Sequence, residues 1–481
     1  MKLTKIIATI GPQSRDEATI SGMVASGLNV VRMNFSHGSH DFHLETIETV
    51  RKVSRKMDVP IGILMDLQGP KLRTGGLKKE PVTLNRGDLI ELTTEDIVGD
   101  WKRISVDYDR LPREAKKGER ILLDDGSIEL RVEELLANGV MCRIMNGGTI
   151  RSHRGVNFPE SRISVSAITD KDREDLSFGI AHDVDFVALS FVREARDIVQ
   201  LRGLMKKAGR ELPVVAKIEK PEAVENIDEI IAESDGIMVA RGDLGAETSP
   251  QEVPILQKLI IGKCNVAGKP VITATQMLES MIKNPRPTRA EAADVANAIF
   301  DGTDCVMLSG ETAVGDYPLQ AVQVMDTIAR RTEQEILRRK EQHTYVEPRR
   351  FPGKENIADN VCYNATHLAD SLNVKFIVSF TLSGRTASLV SRYRPSVPII
   401  AMSPSEEVLR RLSPLWGVYG VLIENVNTTE ELFNRAEEIL VESGLCEEGD
   451  MVLMVGGVPV LASSPTNMIK VHRLKLGEKN I

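Results

Sequence analysis

Cysteine is sparse in this chain, and none of it is arranged for work. The five cysteines (142, 264, 305, 362 and 446) are scattered, with no CxxC pair and no metal-ligand spacing. That excludes a disulfide scaffold and a zinc module, and reads as the reduced thiols of a cytoplasmic protein. Positive charge is also in deficit: 61 Lys and Arg against 69 Asp and Glu give a net charge of −8. This argues against a general nucleic-acid or anionic-membrane binder, while leaving room for a local basic cleft. Aromatics make up only 4% of the residues, and no run reaches the apolar length of a membrane span. The opening MKLTKIIATI is too short and too soon stopped by Gly11-Pro12 for a leader, and reads as a first strand. Low-complexity segments and short repeats are missing too.

What the sequence has is a rhythm. KIIATI (5–10), NVVRMN (29–34), IGILMDL (61–67), DFVALSF (185–191), VVAKIE (214–219), GIMVAR (236–241), PVITAT (270–275) and CVMLSG (305–310) are short apolar runs. Most are followed by a turn and an amphipathic stretch. Near-continuous apolar strands alternating with helices imply a parallel sheet covered by helices, and eight such units imply a (β/α)8 TIM barrel. The expected barrel covers 1–69 and 166–345. Residues 70–165 instead alternate around Arg86-Gly87-Asp88, Asp125-Gly126 and Asn146-Gly147-Gly148, which predicts an inserted small antiparallel β domain, a β-barrel lid. After the charged stretch RRTEQEILRRKEQHTYVEPRR, residues 346–481 resume as KFIVSFT, VPIIAMS, YGVLIE and DMVLMVG with helices between, an open α/β domain.

In a closed βα barrel the chemistry sits at the carboxyl ends of the strands. The second strand ends in Arg32, Asn34 and Ser36, the third in Asp66, and the fifth in Lys217 and Glu219. The sixth leads into Arg241, Gly242 and Asp243, the seventh ends in Thr275, and the eighth in Ser309-Gly310-Glu311. Any one of these alone reads as solvated rim charge or a helix start. Convergence from six strands points to a site. Residues i and i+2 of a strand share a face, so Lys217 and Glu219 point the same way. Glu219 and Asp243 on neighbouring strands suit Mg²⁺, which takes one or two carboxylates and fills its shell with water and substrate oxygens. Arg32 and Lys217 add cations shaped to grip a phosphate.

The runs GLNVVRMNFSHG (27–38), MDLQGPKLRTG (65–75), AKIEKPEAVENIDEI (216–230), MVARGDLG (238–245), VITATQMLESM (271–281), RPTRAEAADVANAIFDGTDCVMLSGETAVGDYP (286–318) and TLSGRTASLVSRYRP (381–395) strongly resemble the pyruvate kinase family, in order along nearly the whole chain. The resemblance implies phosphoryl transfer from phosphoenolpyruvate to ADP, giving pyruvate and ATP. It implies that Arg32 holds the phosphoryl group and that Lys217 stabilises it and the enolate oxygen. Glu219 and Asp243 then bind Mg²⁺ or Mn²⁺, while Gly242 and Thr275 hold the substrate carboxylate. Thr275 and Ser309 lie near the face where enolpyruvate is protonated. Asn34, Arg73 and Arg154 become nucleotide candidates, the last two near the hinges of a lid that closes over ADP. Thr381, Ser383, Gly384, Arg385 and Thr386 match a sugar-phosphate effector loop, with a monophosphate at least as well suited as a bisphosphate. A homotetramer is expected by the same analogy.

One departure from the family matters. A monovalent-cation pocket is implied at Asn34, Ser36, Asp66 and the Leu67 carbonyl, yet the motif reads DLQGPKLR, with Lys71 where relatives typically carry a glutamate. A fixed ammonium there repels K⁺ and supplies its charge, so activity is expected to need Mg²⁺ but little K⁺. Two other readings stand beside this one. They are a metal-dependent aldol lyase acting on a pyruvate enolate, and a non-catalytic sugar-phosphate sensor.

Overall fold

The computed structural model describes residues 1–124, 126–160, 164–342, 356–459 and 464–474. Eight parallel strands close a barrel in sequence order. They are Lys5–Thr9, Val30–Asn34, Gly62–Asp66, Phe186–Leu189, Val214–Ile218, Gly236–Ala240, Val271–Ala274 and Cys305–Leu308, matching the eight apolar runs. Period-2 alternation explains why each run is apolar on both faces. Ile6, Val31, Ile63, Val187, Val214, Ile237, Val271 and Val306 face outward into the layer shared with the helices. Their neighbours Ile7, Val30, Leu64, Phe186, Val215, Met238, Ile272 and Cys305 fill the barrel interior.

The same parity sets the upper layer. Two or four residues beyond those inward positions come Thr9, Arg32, Asp66, Ser190, Lys217 and Ser309, so six of the eight strands deliver an apolar plug below and a polar group above. Capping boxes at Thr169 with Asp172 and at Thr288 with Glu291 start the helices that buttress the fourth and eighth strands.

The chain leaves the barrel at Gly69, whose φ is +68° and where a Cβ would lie 2.8 Å from the Phe191 ring. Only glycine suits that left-handed, crowded exit. Beyond it, the inserted domain packs its own core around Ile90, Leu92, Leu123, Leu130 and Cys142. Its strands form a six-stranded sheet and a separate two-stranded one rather than a single closed barrel. The pairing of Leu89–Thr93 with Arg103–Ser105 is parallel, where only antiparallel pairs were expected. Asp125 of the expected Asp125-Gly126 turn lies outside the described residues.

The charged stretch near 330–350 is not simply a connector. Its first half belongs to the helix Pro318–Glu341, where buried Glu333 accepts the Leu3 and Thr4 amides at 2.8 and 2.6 Å. The expected 345/346 boundary lies outside the described residues. The C-terminal unit is a five-stranded sheet whose edge strand, Met468–Arg473, runs antiparallel and was not anticipated. Two of its arginines dock on the base of the barrel. Arg410 reaches Asp185 and Arg394 reaches Asp304, both at 2.8 Å.

Candidate active site

Asp66, 1% exposed, is the hub of the upper barrel. Its Oδ2 accepts Arg32 Nε at 2.6 Å and its Oδ1 lies 3.2 Å from Lys217 Nζ. Arg32 also donates from Nη1 to Thr9 Oγ1 at 2.9 Å, and Lys217 to Ser190 Oγ at 2.7 Å. Both cations are thus aimed by buried partners, with guanidinium and ammonium side by side. Burial pushes the Asp66 carboxyl up, but Lys217 and Arg32 more than offset this and hold it below the usual carboxylate range.

The expectation that Lys217 and Glu219 point together is met: Lys217 Nζ lies 2.9 Å from Glu219 Oε1. Burial opposes the Lys217 charge, yet Asp66 and Glu219 overcome it and raise its pKa, so the side chain is an ammonium. The second oxygen of Glu219 accepts the Phe191 amide at 2.7 Å, on a residue with φ +53°. Glu219 itself is pushed above the usual carboxylate range by burial, which Lys217 opposes and neighbouring Asp243 reinforces. Glu219 and Asp243 thus bring two carboxylates close together at the rim, with Asp243 adding to the rise in the Glu219 proton affinity. That donor set fits a divalent oxygen-seeking ion completed by water and substrate. Among the described residues no group of three or more His, Cys, Asp and Glu side chains is arranged for a metal, so protein ligands alone would not complete such a shell.

Thr275 and Gln276 follow the seventh strand with φ of +67° and +54°. Left-handed backbone at such residues costs about 1–3 kcal/mol each and needs external support. Arg241, buried and paired with Asp294 at 2.6 Å, supplies it by donating to the carbonyls of Thr275 at 2.7 Å and Gln276 at 3.2 Å. The result turns the Thr275 hydroxyl to the Gly242 amide, which donates to it at 2.8 Å. Across the rim, fully buried Glu311 accepts Ser309 N at 2.7 Å and Leu278 N at 3.0 Å, tying the last two loops together. Ser309 Oγ is buried without a hydrogen-bond partner, an open acceptor and donor beside Thr275's loop.

The remaining expected residues are placed less uniformly. Asn34 Oδ1 accepts the Ser36 amide at 3.1 Å, and Ser190 Oγ donates to the Leu67 carbonyl at 2.7 Å. Neither Asn34 nor Ser36 caps the next helix; Ser39 does. Lys71 lines a cleft between barrel and inserted domain, together with Asn157, Lys220, Asp243 and Glu247. Burial lowers the His37 pKa, and the charges of Arg73, Lys71 and Arg32 add to the effect, so these three cations share one field. Arg73 donates from Nη1 to His153 O at 3.0 Å, whereas Arg154 pairs with Asp124 at 3.5 Å within the inserted domain. In the C-terminal loop, Ser383 is exposed ahead of the helix Arg385–Arg392, Gly384 at its N-cap has φ +85°, and Arg385 is exposed at its first position. Thr386 is buried, its hydroxyl 2.8 Å from Thr466 Oγ1, so it braces the loop from within.

Thr9 and Ser190 were missed in the sequence, although the inward parity of the first and fourth strands marks both. Lys171 was missed as well. It donates to the Phe35 carbonyl at 2.7 Å and pairs with Asp175 at 2.5 Å, joining a helix start to the loop after the second strand. No local pattern announces that contact.

Comparison with known proteins shows the family. Residues 1–322 match the family described as pyruvate kinase, barrel domain, and residues 359–472 match pyruvate kinase, alpha/beta domain. A curated pyruvate kinase of Geobacillus stearothermophilus is 45% identical over 472 residues, covering 98% of this chain and 80% of that protein. One from Clostridium acetobutylicum is 44% identical over 474 residues, covering 98% and 99%. A crystal structure of a pyruvate kinase from Cryptosporidium parvum superposes with a TM-score of 0.90 at 38% identity, covering 98% of this chain and 96% of that one.

Proposed function

Since the chain belongs to the pyruvate kinase family of phosphotransferases, we propose that its barrel rim moves the phosphoryl group of phosphoenolpyruvate to ADP, yielding pyruvate and ATP. The observation that carries this reading is the packing of Arg32, Lys217, Asp66 and Glu219 into one buried, charge-paired cluster.

Arg32 grips the phosphoryl oxygens, held in register by Thr9 and Asp66. Lys217 faces the bridging oxygen and the enolate that forms as the phosphoryl group departs, so it acts most strongly where charge develops. Glu219 and Asp243 would hold Mg²⁺ or Mn²⁺, which would supply Lewis-acid neutralisation of the charge that develops during transfer. The substrate carboxylate inserts between the Gly242 amide and the Thr275 hydroxyl, replacing their mutual hydrogen bond. Thr275 and Ser309 stand at the face where a proton reaches C3 of enolpyruvate, relayed through water. Asn34, Arg73 and Arg154 receive the nucleotide, with the inserted domain (70–165) as a lid that excludes water.

The family generally uses a divalent metal and K⁺. For this chain K⁺ is dispensable: both Asp66 oxygens already face cations, the Leu67 carbonyl already accepts Ser190, and Lys71 shares the field of Arg32 and Arg73. The loop of Thr381, Ser383, Gly384, Arg385 and Thr386 takes a sugar phosphate or a nucleotide as effector, and the chain works as a cytoplasmic homotetramer. Among the described residues no helix is long and apolar enough to cross a membrane. Phosphorus NMR of the protein with phosphoenolpyruvate, ADP and Mg²⁺ tests the reaction. ATP resonances growing as the phosphoenolpyruvate resonance falls support it, and free phosphate appearing without ATP would overturn it.

A further inference from the structure

Outside the site just described, one buried carboxylate links the inserted domain to the barrel. Glu247, 2% exposed, closes the short helix Arg241–Glu247 one turn beyond Asp243. Its Oε1 accepts Asn157 Nδ2 from the inserted domain at 2.5 Å and also pairs with the Lys220 ammonium of the barrel. Its Oε2 is buried without a hydrogen-bond partner. A buried carboxylate oxygen left unpaired is costly, so packing alone is a poor reason for glutamate here.

The partners on both sides give the contact leverage. Asn157 lies in the strand Val156–Asn157, which pairs with Leu122–Leu123 of the six-stranded sheet, so holding its side chain holds the sheet. On the barrel side, Lys220 follows Glu219 directly and sits 6.0 Å from the Phe191 ring, whose own amide donates to Glu219. Asp243 and Glu247 are i and i+4 on one helix face. The lid contact therefore ends on the same two segments that carry the carboxylate pair.

We propose that Glu247 is a lid latch: a positioning residue that fixes the inserted domain over the cleft through Asn157 and ties that pose to the metal carboxylates through Lys220. This rests on the reading that the inserted domain covers the nucleotide. On that reading phosphoenolpyruvate is held at the barrel rim by Arg32, Lys217, Gly242 and Thr275, whereas the latch holds the inserted domain, so the latch acts on the nucleotide step.

The test is a double-mutant cycle of N157A, E247A and N157A/E247A, with thermal melts and initial rates in which ADP and phosphoenolpyruvate are varied separately. Each single change raises KM for ADP by about three- to tenfold, the range of one lost ordinary hydrogen bond. KM for phosphoenolpyruvate stays near the parent value. The double variant is no worse than the worse single, because one contact is removed in all three. N157D, which sets carboxylate against carboxylate, is worse than N157A, and E247Q relieves it. Backbone hydrogen exchange at residues 72–74 and 156–157 rises in substrate-free N157A, a readout independent of turnover. Additive effects, equal rises in both KM values, or unchanged exchange would each overturn the latch. Loss of ATP formation by the parent protein would instead overturn the phosphotransfer reading.

Discussion

Lys217 and Glu219 stand two residues apart in one strand and meet at 2.9 Å inside the barrel, with Asp66 facing the same ammonium from the third strand at 3.2 Å. A buried ammonium held by two carboxylates is a strongly polarised site, and it stays charged because its partners overcome burial. The same geometry predicts how the site fails.

Removing one charge of the carboxylate pair weakens the metal. With Glu219→Gln or Asp243→Asn a charged ligand becomes neutral, and the Mg²⁺ needed for half-maximal activity rises by about tenfold or more. Titrating activity with Mg²⁺ for each variant checks this. Curves that overlay the parent would place the ion elsewhere.

On the proposed reading, Lys71 sets the monovalent requirement. Parent rates in potassium chloride and in a tetraalkylammonium chloride at equal ionic strength are expected to agree closely. Lys71→Glu puts an anion where the ammonium stood and is expected to create a potassium requirement. Strong activation of the parent by potassium would show that the ammonium does not take the ion's place.

The inward parity of the strands made most of this site legible in the sequence. Arg32, Asp66, Lys217 and Ser309 follow from counting two residues at a time from a buried apolar position, and Thr9 and Ser190 follow by the same count. Support that crosses between loops was not legible. Arg241 holding the carbonyls of Thr275 and Gln276, and Glu247 meeting Asn157, join residues 34 and 90 positions apart with no periodic signature. The strand Met468–Arg473 was missed because it is an edge strand with no fully buried residue, so no apolar run announces it. The inserted domain's sheet organisation escaped for a related reason. Register shifts, such as those between Ile128–Leu136 and Gly139–Asn146, are not revealed by alternation alone, and neither is closure.

Acid should loosen the loop after the second strand. His43 Nε2 lies 3.0 Å from the His37 carbonyl, its ring stacks on Phe35 at 4.0 Å, and its Nδ1 is buried without a partner. Burial lowers its pKa, so the unfolded chain takes up this proton first as pH falls. Stability from His43 is therefore present above the ordinary imidazole range and is lost as pH drops through about 6.5. Thermal melts between pH 8 and pH 5.5 should show a smaller loss for His43→Phe, which keeps the stacking ring and cannot titrate. Parallel curves would remove His43 from this account.

The C-terminal loop offers a separable test. Ser383→Asp puts a carboxylate where a phosphate is proposed to bind, so sugar-phosphate activation should disappear while basal kcat persists. Rates measured across a panel of sugar phosphates and nucleotides check it. Equal activation of variant and parent would move the effector site elsewhere.

The central claim is that the charge-paired rim carries the phosphoryl transfer, and Lys217→Met tests it most directly, since the stem is kept and only the charge is lost. Initial rates with phosphoenolpyruvate, ADP and Mg²⁺, on variant protein shown to be folded by its circular dichroism, should give a kcat reduced by about 10²–10³ with a modest change in KM. A folded Lys217→Met protein with near-parent kcat would contradict the account.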